Sequence, residues 1–122
     1  DWLRMPATCH HRDPMLMELA DQFLQDSRYP TPQLFYLWGH TYEFNNNNNW
    51  DVMENFAKLT ANNPEVWYAT NIEICDYVEA YKRLRYSANG SIVYNPTVLT
   101  VWFDVDGKVY KVDPDKTIRI DG

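Results

Sequence analysis

A chain of 122 residues, of which 45% are hydrophobic, is long enough for one domain with a modest core and too apolar for a disordered segment. Its net charge of −6 at pH 7 argues against nucleic acids and anionic membrane surfaces as partners. No apolar run approaches the ~18 residues of a membrane-spanning helix, so we expect no membrane span.

Aromatic residues make up 16% of the sequence. Large aromatic side chains commonly fill a core, and composition favours this interpretation. The alternative is a surface on which flat rings stack against sugars or contact a protein partner. Composition alone leaves both interpretations open.

The first half of the chain predicts helices that alternate with short strands. Asp13-Pro14 is a typical helix start, and apolar residues then recur at helical spacing as far as residue 27. Residues 34–38 are mostly apolar without alternation, which predicts a strand covered on both faces, as in a parallel sheet. The five asparagines at 45–49 predict a loop, in which Asn49 caps a second helix over residues 50–62.

Residues 66–69 predict a second short strand. Thr70 and Glu73 have the spacing of a capping box and open the most regular helix of the sequence. After Asn89-Gly90 the pattern changes to short β segments, with a hairpin turn at Asp106-Gly107. These segments are residues 92–94, 98–105, 108–112 and 117–120.

Together these elements predict an α/β fold. Residues 1–86 have the order α-β-α-β-α, and residues 87–122 form a β-rich extension, a short antiparallel hairpin or meander. Two short parallel strands make a poor sheet by themselves. We therefore expect the α/β part to continue a sheet that lies before Asp1, to pair with another chain, or to be completed by the C-terminal segments. A sheet edge left exposed would favour self-association.

His40 is the first candidate for chemistry. It follows the predicted strand at 34–38 after a single glycine, and α/β folds place their sites at the carboxyl ends of parallel strands. An imidazole there can act as a general acid or base because its pKa lies near neutrality. The alternative is a histidine that is hydrogen-bonded within a loop, and position alone does not decide between the two.

The pair His10-His11 is the second candidate. Histidines are common zinc ligands, and with His40 and Glu43 the pair could form a metal site. Adjacent side chains usually point apart, however, and nothing in the spacing requires such a site. We therefore expect one histidine to bond backbone groups, the other to be solvated and this chain to hold no metal.

Asp1-Trp2 is the third candidate, since its carboxylate could orient an imidazole and its indole could form a wall of a sugar site. Disorder at a chain terminus is the competing interpretation. The sequence contains no glycine-rich phosphate loop, no GxSxG elbow and no CxxC pair.

Four blocks of sequence carry a resemblance to a known family. They are DWLR from Asp1, PATCHHRDP from Pro6, LWGHTYEF from Leu37 and VWYATN from Val66. These blocks resemble the C-terminal part of bacterial polysaccharide deacetylases, which belong to the chitin deacetylase-like carbohydrate esterase superfamily. The resemblance extends over residues 1–84 and leaves out the tail from residue 92.

The resemblance implies a distorted, incomplete (β/α) barrel that removes acetyl groups from a glycan. In such enzymes an aspartate and two histidines hold a divalent metal, often zinc, which polarises the acetyl carbonyl and activates water. A second aspartate is the base, and a late histidine protonates the leaving amine. His40 matches that late histidine, although Trp38-Gly39 loosens the usual spacing after Leu37.

The resemblance also implies the surroundings of this histidine. Asp1-Trp2 matches a motif in which the carboxylate tunes the late histidine and the indole shapes the sugar pocket. Trp38 and Tyr42, which flank His40 in the sequence, are further candidates for contact with substrate.

The sequence departs from the family in one respect that concerns activity. The family's Thr-Phe-Asp-Asp strand and His-x-x-x-His motif are missing, and His10-His11 lack the one-turn spacing of the second motif. We therefore expect a member or fragment of the family that is inactive alone, with a divalent, zinc-like metal only in the full-length enzyme. Its partner would be an acetylated polysaccharide or oligosaccharide. The alternative function is a non-catalytic carbohydrate-binding or assembly module.

Overall fold

The structure, a computed structural model, describes residues 5–25 and 32–120. Over these residues the protein is a mixed α/β structure with small sheets and no closed barrel, which confirms the predicted fold class at that level. The chain divides after Trp67 into two compact units. No described helix has both the length and the apolar character needed to cross a membrane.

The described residues of the first unit form two short strands and three helices. They are β1 (Cys9–His10), α1 (Leu16–Gln25), β2 (Leu37–Trp38), α2 (Thr41–Asn47) and α3 (Trp50–Thr60). Asp13 precedes helix α1 and stabilises the turn that leads into it, because the Asp13 carboxylate accepts a hydrogen bond from the backbone N–H of Met15 at 2.9 Å. Helices α1 and α3 pack against each other.

Strands β1 and β2 are parallel neighbours, with Cys9 opposite Leu37 and His10 opposite Trp38. The backbone N–H of His11 extends the pairing by donating to the Trp38 carbonyl at 3.0 Å. A strand in a parallel sheet was predicted at 34–38, but the paired segment is only its last two residues. Both strands end at the same edge, which therefore presents the residues that follow each of them.

The predicted loop over all five asparagines is wrong for the first three, which form the last turn of α2. Asn47 stabilises that turn by donating from Nδ2 to the Glu43 carbonyl at 2.7 Å. Asn48 ends the helix in the left-handed conformation, with φ of 49°, which asparagine adopts more readily than most residues. Asn49 then precedes α3, whose predicted start at Trp50 is confirmed.

The strand predicted at residues 66–69 is absent from the described structure. Asn63 instead closes a turn, because its side-chain oxygen accepts from the N–H of Glu65 at 2.9 Å and its carbonyl accepts from Val66 at 3.1 Å. Asn62, with φ of 59°, leads into this turn. A strand needs a neighbouring strand to pair with, and none of the described strands pairs with this segment.

In the second unit, residues 68–120 form one helix and five strands. They are α4 (Asn71–Lys82), β3 (Arg85–Tyr86), β4 (Ile92–Tyr94), β5 (Val101–Val105), β6 (Lys108–Val112) and β7 (Thr117–Arg119). Strands β3, β4 and β7 form one antiparallel sheet, and β5 pairs with β6 in a hairpin. Helix α4 packs on β5, and the core is formed by Ala80, Leu84, Val93, Val101, Phe103 and Val112.

Two local predictions in this unit are confirmed. Asp106 and Gly107 connect β5 to β6 with φ of 52° and 82°, as a two-residue hairpin turn requires. Thr70 and Glu73 form the predicted capping box, in which Glu73 N–H donates to Thr70 Oγ1 at 3.4 Å and Thr70 N–H donates to the Glu73 carboxylate at 2.7 Å. The hydrogen bonds from Thr70 keep the pKa of Glu73 below its ordinary value.

We expect Thr70→Ala to lower the free energy of unfolding by about 1 kcal/mol, because the first turn of α4 loses its side-chain cap. Thr70→Ser keeps the hydroxyl and serves as the control.

The contribution of Glu73 to the free energy of unfolding should be complete above its unfolded-state pKa of about 4.3. It should vanish as pH falls through the lower folded-state pKa of this carboxyl. Urea unfolding of Glu73→Ala and the parent chain checks this, and a gap between them that widened in acid would contradict it.

Asn95 is a fully buried polar residue that ties a loop to β6. Its Nδ2 donates to the carbonyls of Leu99 at 2.7 Å and Val112 at 3.1 Å, and its Oδ1 accepts from Thr97 N–H at 3.0 Å. All these partners lie at least partly out of water, so the loss of Asn95 removes hydrogen bonds that water can replace only in part.

Asn95→Ala is therefore expected to lower the free energy of unfolding by at least about 2 kcal/mol. Asn89→Ala is the matched control, because the Asn89 oxygen also accepts several hydrogen bonds but lies in an exposed turn where water can replace it. Urea unfolding followed by circular dichroism measures both variants. Equal losses of stability for the two variants would contradict this account of Asn95.

Candidate functional site

The carboxyl edge of β1 and β2 brings together the histidines named from the sequence. His10 ends β1 and His11 follows it, whereas His40 comes two residues after Trp38 at the end of β2. The side chains at this edge divide into an exposed group around His40 and a largely buried group around His11.

The exposed group consists of His40 and two aromatic rings. The imidazole of His40 stacks on Tyr42, with ring centroids 5.2 Å apart and planes inclined by 16°. Trp38 lies edge-on to His40, with ring centroids 6.0 Å apart. Trp38 is 49% exposed and Tyr42 is 59% exposed, so these rings form an accessible surface instead of core. The three candidates that the resemblance implied are thus neighbours.

Glu43 joins the two groups. As the third residue of α2 it accepts the backbone N–H of His40 on Oε2 at 3.3 Å, which satisfies one of the free donors at the helix start. The same oxygen lies 3.3 Å from His10 Nε2 and 3.5 Å from His11 Nε2. Arg12 approaches the other carboxylate oxygen at 3.5 Å.

The carboxylate of Glu43 is the ionised member of this group. Burial acts to raise the pKa of Glu43, but the backbone hydrogen bond from His40, the two imidazoles and the Arg12 guanidinium outweigh it. The pKa therefore lies below its ordinary value. A carboxylate that stays charged close to two imidazoles can bind a proton shared with them or a cation.

His11 is the most buried polar side chain of this edge, with 3% of its surface exposed. Burial, followed by the charge of His10, lowers its pKa, so the imidazole is held neutral. Neither ring nitrogen has a hydrogen-bond partner among the described residues, since the approach of Nε2 to Glu43 lacks hydrogen-bond geometry. Phe44 packs beside the ring at 4.3 Å between centroids. The prediction of a solvated or backbone-bonded histidine is therefore wrong for His11.

His10 has the environment predicted for one member of the pair. Its Nδ1 accepts the backbone N–H of Arg12 at 3.2 Å, and its ring lies edge-on to Trp38 at 4.6 Å. Nε2 points towards Glu43. His10 thus contacts both the exposed aromatic group and the half-buried carboxylate of Glu43.

Gly39 is a residue of the site that the sequence analysis did not single out. A Cβ at this position would lie 1.8 Å from Nδ1 of His11, so only glycine permits the backbone after β2 to pass against the buried imidazole. The sequence shows a glycine directly after a predicted strand. It does not show that His11, 28 residues earlier, lies against this glycine. Asp1 and Trp2, the other two predicted site residues, lie outside the described residues.

His11 also lines a groove of about 450 Å³. It is lined by the loop after β1, the start of α1 and the junction of α2 and α3. Asn49 lines it as well, and its buried Oδ1 has no hydrogen-bond partner among the described residues. The asparagine run therefore contributes a polar wall to a concavity next to the buried histidine.

Comparisons of the chain with protein-family models, with curated proteins and with solved structures find no match.

We expect Gly39→Ala to lower the free energy of unfolding by about 2–3 kcal/mol, because the new Cβ forces His11 or the β2 backbone to move. Gly90→Ala is the control: nothing lies within 4 Å of its added Cβ, but φ of 73° imposes a strain of about 1 kcal/mol. Thermal and urea unfolding give both values. A Gly39→Ala effect no larger than that of Gly90→Ala would contradict the close contact with His11.

Proposed function

We propose that the chain is a member or portion of the polysaccharide deacetylase family, and that the edge of β1 and β2 handles an acetylated glycan. The observation that carries this proposal is the exposed imidazole of His40, flanked by Trp38 and Tyr42 at the carboxyl ends of parallel strands. The resemblance to the family supports it on independent grounds. The parallel pairing also supports a partial barrel-like unit in which β1 and β2 are adjacent strands.

In this proposal His40 is the general acid of N-deacetylation. Its exposed ring can approach the amide nitrogen of a bound sugar and donate a proton as the carbon–nitrogen bond breaks. Trp38 and Tyr42 offer flat apolar faces on which sugar rings stack. The bond from the His40 backbone N–H to Glu43 holds the residue at the helix start. Asp1 would tune the imidazole and Trp2 would form a wall of the pocket, as the resemblance implies.

The family's metal does not fit the motifs of this chain. Its ligands come from a Thr-Phe-Asp-Asp strand and a His-x-x-x-His motif, and the sequence contains neither. We therefore derive no metal-assisted step and propose that the chain alone does not hydrolyse the amide. Acetate release from acetylated chito-oligosaccharide, assayed with added divalent metal, should stay at background. Metal-dependent release would contradict this part of the proposal.

A second candidate function is a non-catalytic carbohydrate-binding module. The exposure of both Trp38 and Tyr42 favours it, since sugar stacking needs no catalytic group. The two functions differ in what they require of His40. A deacetylase site uses the imidazole at the acetamido group, whereas a binding surface depends on the aromatic rings alone.

Calorimetric titration with acetylated chito-oligosaccharide in the presence of chelator tests both functions. We expect millimolar or tighter binding that weakens about fivefold in Trp38→Ala and Tyr42→Ala, the effect of losing ~1 kcal/mol of ring contact. Trp102→Ala is the matched control, because Trp102 is also half-exposed but lies in the second unit.

His40→Gln separates the two functions in the same titration. If His40 acts at the acetamido group, as in a deacetylase, this variant should no longer prefer the acetylated oligosaccharide to its deacetylated form. An unchanged preference would favour the binding module. Absence of any binding by the parent chain, or an equal loss in Trp102→Ala, would contradict a glycan site at this edge.

A further inference from the structure

We propose that His10, His11 and Glu43 form a zinc-binding site that belongs to this chain and holds the loop after β1 against α2. The site is separate from the family's metal centre and does not depend on the proposed function. It would be a structural site, with the ion joining segments that lie about 30 residues apart in the sequence.

The distances between the donor atoms suit one ion. Glu43 Oε2 lies 3.3 Å from His10 Nε2 and 3.5 Å from His11 Nε2, and the ligand atoms of the three residues all lie within 4.8 Å of one another. Two ligands bound at about 2.0–2.1 Å in tetrahedral geometry stand roughly 3.4 Å apart. A set of two imidazoles and one carboxylate is also a known zinc donor set, with water in the fourth position.

The burial of His11 is the second, independent observation. Both of its ring nitrogens are buried without a hydrogen-bond partner among the described residues, and burying polar atoms in this way is costly. Nε2 lies 3.5 Å from the nearer carboxylate oxygen of Glu43, without hydrogen-bond geometry. An ion between these two atoms would accept the lone pair of Nε2 and so give the buried imidazole a partner.

The neighbouring groups hold the carboxylate ready without closing the site. The His40 backbone N–H fixes Oε2, and Arg12 binds the opposite oxygen, Oε1. Arg12 is 61% exposed in its side chain, so it can stay on Oε1 or turn to solvent when an ion binds. Such outer contacts orient metal ligands and restrict their motion before the ion arrives.

His10 is the ligand that must change most. Its Nδ1 accepts the Arg12 N–H, so the neutral ring carries its proton on Nε2 in the absence of an ion. Zinc on Nε2 requires the proton to move to Nδ1, so the hydrogen bond from the Arg12 N–H to Nδ1 is lost. This N–H is exposed, and water can take over the bond. The loss makes His10 the weakest of the three ligands.

Titration of the metal-stripped chain with Zn²⁺, followed by calorimetry, tests the proposal. We expect one ion per chain and a higher Tm at saturating Zn²⁺, because the ion binds only the folded site. Co²⁺ should give the visible absorption of a tetrahedral nitrogen and oxygen site. It should lack sulfur-to-metal charge transfer, although Cys9 and Cys75 are free thiols.

Single substitutions identify the ligands. Glu43→Gln and His11→Gln should weaken Zn²⁺ binding by more than the roughly 10–100-fold that loss of an outer contact costs, and His10→Gln by less than either. His40→Gln is the control, since it alters the same edge without removing a ligand, and its Zn²⁺ affinity should be unchanged. Circular dichroism establishes that each variant is folded, and Glu43→Gln tests the site if the buried His11 variant does not fold.

The proposal is overturned by any of three results. The first is no stoichiometric binding at Zn²⁺ concentrations up to the millimolar range. The second is undiminished affinity in folded Glu43→Gln, and the third is a cobalt spectrum with thiolate ligation. Each of these leaves the glycan titration unaffected, so failure of the metal site and failure of the proposed function are distinguishable.

Discussion

The parallel pairing of β1 with β2 decides which functional groups of the first unit meet. Only two residues pair on each strand, Cys9 with Leu37 and His10 with Trp38, yet both strands end at the same edge of the sheet. Because the register places His10 opposite Trp38, the next residues, His11 and Gly39, are also neighbours. A shift by one residue would turn the side chains of one strand to its opposite face and separate these groups.

Glu43 extends this constraint from the sheet to the helix. A carboxylate three residues into a helix commonly bonds the backbone at the helix start, and Glu43 does so through the His40 N–H. The position of α2 brings the same oxygen to the imidazoles of His10 and His11. One side chain therefore stabilises a local element and also completes a long-range cluster, so its loss would disturb both.

The features that sequence predicted correctly depend on residues close together in the chain. The Thr70 and Glu73 capping box and the Asp106-Gly107 turn are decided within four residues, and the structure contains both. Helix α3 also starts at its predicted residue. These elements need no knowledge of distant partners, because the local hydrogen bonds and backbone preferences are sufficient.

The features that sequence missed depend on distant partners. Residues 66–69 have a composition typical of strands, but no neighbouring strand pairs with them in the described structure. Helix α2 was missed because a histidine, His40, is an unusual N-cap residue and a run of asparagines favours turns. The burial of His11 was missed because it results from Gly39 and Phe44, residues that the β1–β2 pairing brings near.

The three histidines at the carboxyl edge of β1 and β2 differ in burial and therefore in chemistry. His40 is exposed between aromatic rings, where an imidazole can exchange protons with a bound molecule. His11 is enclosed beside a charged carboxylate, where a neutral imidazole can offer its lone pair or its N–H only to a group that is already inside. His10 touches both groups, since its ring meets Trp38 and its Nε2 meets Glu43. His10 and the backbone of His40 therefore link the Glu43 carboxylate to the exposed aromatic surface.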